Sequence, residues 1–364
     1  SRVPENEFPE LCGRLSFFVN AGIRFVTEMC KMRAFVDLWD EILIERYGVE
    51  DPKFRRFRYG VQVNSLGLTE QQPENNVYRI LVEMLAVTLS KKARARAVQL
   101  PAWNEALGLP RPWDQQWSMR MQQIMAFETD LLEYEDLFDG NQVVEAKVES
   151  LKESARYELH TIETQGGALN AIEYMKSRLV ESNPDRLQNI ERNVTTVVGV
   201  NKFTKTETSP LVSGDGGIMI VDPAVEKDQI DRLNLWRSNR NEKLVNKALL
   251  SLRQAALNGK NIMPHSIEAA KAGATTGEWA QEMRDIYGEY RGPTGVATGI
   301  SNKTDGLDEL RSAVDAVSDK LGERLKFLMG KPGLDGHSNG AEQIASRARD
   351  CGMKIEYQGI RLTP

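Results

Sequence analysis

The sequence has 364 residues, a net charge of −5 and a charged fraction of 27%. This length exceeds the roughly 250 to 300 residues over which one hydrophobic core grows, so two or three domains are expected. The acidic balance gives no electrostatic basis for binding nucleic acid, and no apolar run reaches the roughly 20 residues that span a membrane. Three widely separated cysteines suggest neither a disulfide framework nor a zinc cluster and favour a reducing cytoplasm.

The first residues show neither a start methionine nor an apolar signal region, which predicts an internal piece of a longer protein. Apolar residues recur at spacings of three and four from Leu15 onward, which predicts one helix over residues 15–47. Apolar and polar residues then alternate from Phe57 to Asn64, which predicts a strand. A helix over 75–90 and a short strand near 95–100 complete the rhythm of a βα barrel or a doubly wound sheet.

The predicted strand at 57–64 has an unusual polar face. Gln62 and Asn64 lie on the face opposite the bulky apolar residues, whereas an ordinary barrel interior is filled by branched aliphatic side chains. One interpretation is that a polar ligand occupies the interior. The other is that this face is solvated on an antiparallel sheet.

The middle of the chain, from about residue 112 to 254, is predicted to be mainly helical and highly charged. The acidic run 128–139 is interpreted as a solvated helix face without a catalytic role. Glycine and proline concentrate between Thr208 and Pro223, which is the best linker candidate. Further helices are predicted at 228–258 and 264–287.

The C-terminal segment predicts one βαβ unit. A helix at 307–321 precedes a strand at 324–329, a loop at 330–340, a second helix and a strand near 353–357. The loop lacks the ending of a phosphate-binding loop and the spacing of a dinucleotide fingerprint. Loops at this position of a parallel βαβ unit commonly bind ligands.

His337 in this loop is the candidate metal ligand, because it follows a strand and lies among glycines that let a bulky ligand approach. Asp335 could accept a hydrogen bond from one ring nitrogen and leave the other for a metal, and Lys331 could hold Asp335. The alternative is a solvated or capping histidine. His160 and His265 have no metal-ligand partners at helical spacing and are interpreted as surface or structural residues.

The run Asp335-Gly336-His337-Ser338-Asn339-Gly340 resembles the Asp-x-His-x-x-Gly motif of cobalamin-binding domains in base-off, His-on enzymes. The resemblance implies that His337 is the lower axial ligand of cobalt, with Asp335 as its hydrogen-bond partner and Lys331 as the third member of the relay. Gly336 and Gly340 would make room for the corrin and its tail.

The segment 58–71 resembles the last strand region of the barrel in adenosylcobalamin-dependent acyl-CoA mutases, and the similarity extends over nearly the whole chain. It is more similar to the branch that acts on ethylmalonyl-CoA, because the methylmalonyl-CoA branch usually has Thr-His where this chain has Tyr59-Gly60. The resemblance places Gln62, Asn64 and Glu70 near the adenosyl group or the substrate. Ordinary strand-end and capping polarity is the alternative for these three residues. Supporting runs occur at Phe25–Trp39, Asn104–Pro110, Gly199–Lys202 and Gly277–Trp279.

The implied fold is α/β and has three parts. Residues 1–115 would be the C-terminal part of a (β/α)8 TIM barrel, residues 116–320 a mainly helical linker, and residues 321–364 the first βαβ unit of a flavodoxin-like cobalamin-binding domain. Neither the barrel nor the cobalamin domain would be complete, since an eight-stranded barrel takes roughly 250 residues. We therefore expect the isolated chain to be inactive.

The implied activity is a radical carbon-skeleton isomerisation of ethylmalonyl-CoA to methylsuccinyl-CoA that uses adenosylcobalamin, in a homodimer. Methylmalonyl-CoA mutase, which gives succinyl-CoA, is the nearest alternative. A two-chain isobutyryl-CoA mutase is disfavoured because the barrel segment and the cobalamin loop share one chain. A noncatalytic cobalamin-binding module would need His337 but not the segment at 58–71.

Overall fold

Three parallel strands and the helices between them organise the N-terminal part of the computed structural model. The structure describes residues 3–212, 214, 216–289, 307–333 and 339–362. It divides into two compact units, the first comprising Ser1–Ile172 and Asn183–Ile220 and the second Glu173–Ser182 and Val221–Pro364. The boundary between the units at Ile220–Val221 falls inside the linker candidate between Thr208 and Pro223. None of the helices in the described ranges has the length and apolar character needed to cross a bilayer.

The first sheet follows the order β1-β2-β3, with a helix between successive strands. The elements up to β3 are α1 (Phe8–Arg14), β1 (Phe17–Ala21), α2 (Phe25–Glu45), β2 (Tyr59–Val63), α3 (Asn75–Thr88) and β3 (Ala97–Gln99). The predictions of β2, α3 and β3 are confirmed. Both strand pairs are parallel, so the antiparallel interpretation of the polar face is wrong.

Strand β1 contradicts the predicted helix over residues 15–47. Phe17 and Val19 are half-buried, Phe18 and Asn20 are exposed, and Ala21 is fully buried, which is the alternation of a strand with one covered face. The chain becomes helical only at Phe25. The apolar spacing of α2 continued by chance across the strand and concealed the boundary.

One face of this sheet is covered by helices. Val61 of β2 packs in one buried cluster with Met32 of α2 and Val87 of α3. Val63 packs in a second cluster with Ile80 of α3. Because strand residues alternate between faces, the residues between these apolar ones lie on the opposite face, which is uncovered in the part of the chain that the structure describes.

The middle of the chain is helical, as predicted. It contains α4 (Pro112–Phe127), α5 (Gln142–Thr164), α6 (Ile172–Glu191), α7 (Pro223–Asn239), α8 (Glu242–Leu257), α9 (Met263–Ala272) and α10 (Thr276–Tyr287). The acidic run 128–139 is not a helix face, because α4 ends before it and the run forms turns. Asp136 in this run accepts hydrogen bonds from Ser90 Oγ (2.7 Å) and the Lys92 backbone N–H (2.9 Å), so part of the run is structural.

A partly buried ion pair links the end of α7 to the start of α10 in the second unit. Arg240, at the end of α7, donates from Nη1 to Glu278 Oε2 (2.8 Å) and from Nη2 to Glu278 Oε1 (2.6 Å). These bonds from Arg240 hold the pKa of Glu278 down at about 2, although partial burial opposes the shift. Glu278 also completes a capping box with Thr275 at the start of α10.

The C-terminal residues form the predicted parallel βαβ unit. Its elements are α11 (Asp308–Leu321), β4 (Lys326–Pro332), α12 (Asn339–Asp350) and β5 (Lys354–Leu362). Strands β4 and β5 pair in parallel, with irregularities in the second half of the register. Gly330, Lys331 and Pro332 belong to β4, and α12 begins at Asn339, so the predicted loop at 330–340 is too long at both ends. The strand extends further because all three residues are paired with β5.

Candidate active site

The uncovered face of the first sheet carries a row of three amide side chains. Asn20 of β1 is in register with Gln62 of β2, and Gln62 is in register with Gln99 of β3. Each residue is the last or the last but one of its strand. Within the described ranges, none of the three side chains makes a hydrogen bond. This amide row therefore offers donors and acceptors at the carboxyl edge of a parallel sheet, where α/β proteins bind ligands.

A second row lies next to the amide row, toward the amino ends of the strands. Phe18, Gly60 and Ala97 are in register across the same face. A Cβ atom added to Gly60 would lie 3.0 Å and 3.1 Å from two ring carbons of Phe18, so the ring covers the glycine. The side chain of Phe18 is nevertheless 60% exposed. The face thus combines an apolar surface with neighbouring polar groups, as ligand sites commonly do.

The three barrel residues predicted from the resemblance lie at the carboxyl end of β2 and in the loop that follows. Gln62 belongs to the amide row. The side chain of Asn64 accepts a hydrogen bond from the Leu66 N–H (2.9 Å) and caps the short 3-10 turn Ser65–Gly67. Glu70 is exposed and forms no hydrogen bond or ion pair with any residue that the structure describes.

Sequence reasoning missed Asn20, Gln99 and Phe18. Asn20 and Phe18 were missed because β1 was interpreted as a helix, which hides the alternation of faces. Gln99 ends a strand of three residues, too short for the alternation to show. The sequence contained one usable signal, since the aromatic and β-branched run Phe17–Val19 before Gly22 is typical of a strand followed by a turn.

A buried carboxyl group lies beneath the loop after β2. Glu83 of α3 is 1% exposed, and its Oε2 has no hydrogen-bond partner within the described residues. Its Oε1 would be 3.6 Å from a Cβ atom on Gly67. Burial raises the pKa of Glu83 to about 8; the charge of Glu28 adds to the rise and the Arg79 guanidinium opposes it.

The loop between β2 and α3 is tied to a segment more than 120 residues later in the chain. Gln72 has a left-handed backbone with φ of +47°, which is uncommon for a non-glycine residue. Its side chain donates to the carbonyl oxygen of Phe203 (2.8 Å) and packs on Gly199. The strained conformation is therefore held by the segment around Gly199.

We expect Gly199→Ala to lower the free energy of unfolding by about 2 kcal/mol. The new Cβ would lie 3.1 Å from the Gln72 side chain, at a residue whose φ is +84°. Gly167→Ala is the matched control, because Gly167 has φ of +90° and nothing within 4 Å of the added atom. Thermal unfolding of the full-length protein should show the larger loss for Gly199→Ala, and equal losses would contradict the contact with Gln72.

The second candidate region is the loop between β4 and α12. Lys331 lies in β4 and Gly340 in α12, whereas Asp335, Gly336 and His337 lie outside the described residues. Where a Cβ atom would stand on Gly333, with φ of +95°, or on Gly340, no residue that the structure describes lies within 4 Å. These two ends are compatible with a bulky ligand at the carboxyl end of β4. Within the described ranges, no group of three or more His, Cys, Asp or Glu residues could hold a metal.

The chain matches the methylmalonyl-CoA mutase family model over residues 7–289. It is 71% identical over its whole length to ethylmalonyl-CoA mutase from Cereibacter sphaeroides and covers 56% of that protein. It is 62% identical to ethylmalonyl-CoA mutase from Methylorubrum extorquens, with 99% of the chain and 52% of the relative covered. With methylmalonyl-CoA mutase from Cereibacter sphaeroides the identity is 30%, over 98% of the chain and 50% of the relative.

The chain thus spans about half the length of these relatives. The matched family model includes the first sheet, with its amide row, and the helices through α10. The chain belongs to the methylmalonyl-CoA mutase family.

Proposed function

We propose that the full-length protein isomerises ethylmalonyl-CoA to methylsuccinyl-CoA. The observation that carries this proposal is a comparison within one organism. The chain is 71% identical to the ethylmalonyl-CoA mutase of Cereibacter sphaeroides but only 30% identical to the methylmalonyl-CoA mutase of the same bacterium. The closer similarity supports the ethyl substrate.

The three-stranded sheet would be part of a (β/α)8 barrel whose interior is the uncovered face. The amide row supports this interpretation, because an acyl-CoA substrate has carbonyl, amide and carboxylate groups that amide side chains can hydrogen-bond. Gln62 would orient the substrate, and Phe18 would shield the reacting carbons from water. Glu70 would contact substrate or cofactor from the loop above the strand ends.

Adenosylcobalamin is the proposed cofactor. His337 would bind cobalt, with Asp335 and Lys331 as its relay, and Gly336 and Gly340 would leave room for the ring system. When bound, this cofactor supplies the radical that removes a hydrogen atom from the substrate. The space that the described residues leave at Gly333 and Gly340 supports this placement. The protein's own task is then to bind, orient and exclude water.

The decisive measurement is kcat/KM of the full-length protein for ethylmalonyl-CoA and methylmalonyl-CoA with adenosylcobalamin present. We expect a preference for ethylmalonyl-CoA. A preference for methylmalonyl-CoA would transfer the assignment to the other branch of the family. Turnover of neither substrate, with cobalamin still bound, would favour a noncatalytic cobalamin-binding module.

The cofactor assignment has a separate test. We expect His337→Ala to abolish the base-off, His-on absorption spectrum when the full-length protein is titrated with cobalamin. The surface residue His160, which is exposed on α5, provides the control variant His160→Ala. A His337→Ala protein with the spectrum of the unchanged protein would rule out His337 as the ligand.

A further inference from the structure

Two residues of α3 connect the Glu70 loop to two distant parts of the first unit. Asn76 is completely buried. Its Nδ2 donates to the carbonyl oxygens of Thr69 (2.9 Å) and Trp103 (2.8 Å). Its Oδ1 accepts from the Thr69 N–H (3.0 Å) and from Arg79 Nη1 (2.8 Å). Both donors and both acceptor positions of the amide are therefore used, which fixes its orientation.

Arg79 extends this network in the other direction. Besides its bond to Asn76, Nη1 donates to Thr69 Oγ1 (2.9 Å), and Nη2 donates to the carbonyl oxygen of Val198 (2.8 Å). Val198 is 119 residues away in sequence. We call Asn76 and Arg79 the clasp, because they join the loop after β2, the loop after β3 and the segment around Val198.

The clasp fixes the backbone on both sides of Glu70. Thr69 is held through its N–H, its carbonyl oxygen and its hydroxyl. The same hydroxyl donates to the carbonyl oxygen of Gln71 (2.8 Å). Glu70 between them is exposed and makes no bond of its own to any described residue. The backbone around Glu70 is therefore held in place, while its carboxylate remains available to a ligand.

We propose that Asn76 and Arg79 are positioning residues that hold Glu70 in the place where it meets the ligand. Through Arg79, the segment around Val198 also acts on the site. This inference deepens the proposed function and rests on it. A purely structural role would require only the hydrogen bond from Asn76 to the Trp103 carbonyl. Here Asn76 and Arg79 both also hydrogen-bond to Thr69, the residue before Glu70.

A double-mutant cycle in the full-length protein tests the proposal. The measured quantity is kcat/KM for ethylmalonyl-CoA of Arg79→Met, Glu70→Gln and the double variant. We expect Arg79→Met to lower kcat/KM at least 10-fold when Glu70 is present and less than 3-fold when Glu70 is already glutamine. Such non-additivity means that Arg79 acts through Glu70. Equal losses in both backgrounds, or no loss from either single variant, would overturn the proposal.

Arg79→Lys keeps the positive charge but not the planar fork, and we expect it to retain part of the activity that methionine removes. Arg79→Lys also replaces Arg79→Met in the double-mutant cycle if the methionine variant fails to fold.

The control is Arg186→Met. Arg186 donates to the carbonyl oxygen of Leu66 (3.2 Å) in the same loop without contacting Thr69, and we expect less than a 2-fold change. A loss from Arg186→Met equal to that from Arg79→Met would overturn the proposal.

Hydrogen exchange separates a failure of the clasp from a failure of the proposed function. The Thr69 N–H donates to Asn76 Oδ1, and Arg79 donates to the same oxygen, so we expect Arg79→Met to speed exchange of the Thr69 N–H at least 10-fold while β2 keeps its protection. Unchanged exchange of the Thr69 N–H would overturn the clasp even in an active enzyme. Inactivity of the unchanged protein toward every acyl-CoA would refute the proposed function, and the exchange result would still decide whether the clasp holds the loop.

Discussion

Replacing Arg33 with methionine is expected to lower the free energy of unfolding by about 3 kcal/mol. Arg33 lies on α2 and its side chain is only 2% exposed. It donates to Asp136 (3.2 Å), Asp139 (3.3 Å) and Glu145 (2.9 Å). Without Arg33, Asp136 would keep its negative charge in a largely buried place without the guanidinium that now pairs with it. Asp139 and Glu145 are more exposed and would be hydrated, which limits the loss.

The stability lost through the same substitution should depend on pH. Burial by itself would raise the pKa of Asp136, but hydrogen bonds from Lys92, Ser90 and Phe138 and the charge of Arg33 hold it below the usual value. A carboxyl group with a lowered pKa contributes stability that is present at neutral pH and is lost as the pH falls through that pKa. Removing Arg33 raises the pKa of Asp136 and removes part of this contribution, so the stability difference between Arg33→Met and the unchanged protein should be largest at neutral pH and shrink as the pH falls.

Arg156→Met is the matched control. Arg156 also links α5 to α2, by an ion pair with Glu41 (2.7 Å), but its side chain is 43% exposed. Exposed pairs of this kind contribute about 0 to 1 kcal/mol. Thermal unfolding of the two full-length variants between pH 4 and 7 makes the comparison. The network would have no stabilising role if Arg33→Met unfolded at the same temperature and pH as Arg156→Met.

Strands with a clear alternation were predictable from the sequence. In β2, Tyr59, Val61 and Val63 alternate with Gly60 and Gln62, and the alternation survives because one face packs on helices while the other is uncovered. The alternation of Met353, Ile355 and Tyr357 likewise located β5. Local pattern is sufficient where burial differs between the two faces of one element.

Strand β1 was not predictable by the same means, and that error concealed Asn20 and Phe18. Three residues separate this strand of five residues from a helix of 21 residues, whose apolar spacing dominates any window that includes both. Once β1 is recognised as a strand, Asn20 falls beside Gln62. The amide row is a product of register between strands, which the sequence of a single strand does not contain.

Contacts between residues far apart in the sequence could not be predicted from local patterns. Arg33 meets Asp136 across 103 residues and Arg79 meets Val198 across 119 residues. The acidic run was interpreted as a solvated helix face because runs of charge usually are. Only the folded structure shows that the largely buried Asp136 accepts hydrogen bonds from Arg33 of α2 and from Ser90 and Lys92 after α3.

Replacing Glu83 with glutamine is expected to stabilise the protein at alkaline pH. The folded state raises the pKa of Glu83 from 4.5 to about 8. Below pH 4.5 the carboxyl is protonated in both folded and unfolded states. Between these values the folded protein keeps a proton that the unfolded chain releases, so the stability of the protein falls as the pH rises. The loss due to Glu83 is complete above about pH 8.

Glutamine removes this dependence because it does not titrate. We expect Glu83→Gln to be about 2 kcal/mol more stable than the unchanged protein at pH 8, after allowing for a buried amide N–H without a partner. At pH 5 it should be no more stable. Thermal unfolding of the full-length protein from pH 5 to pH 8 measures the difference.

The negative charge of Glu28 provides a second test of the raised pKa of Glu83. Glu28 forms an ion pair with Lys31 and adds to the raised pKa of Glu83. Glu28→Gln should therefore lower the pKa of Glu83 and reduce the fall in stability toward pH 8, whereas Glu133→Gln, at an exposed residue, should leave it unchanged. If Glu83→Gln kept the full pH dependence, the carboxyl of Glu83 would be ionised in the folded protein and paired with a group of the full-length enzyme.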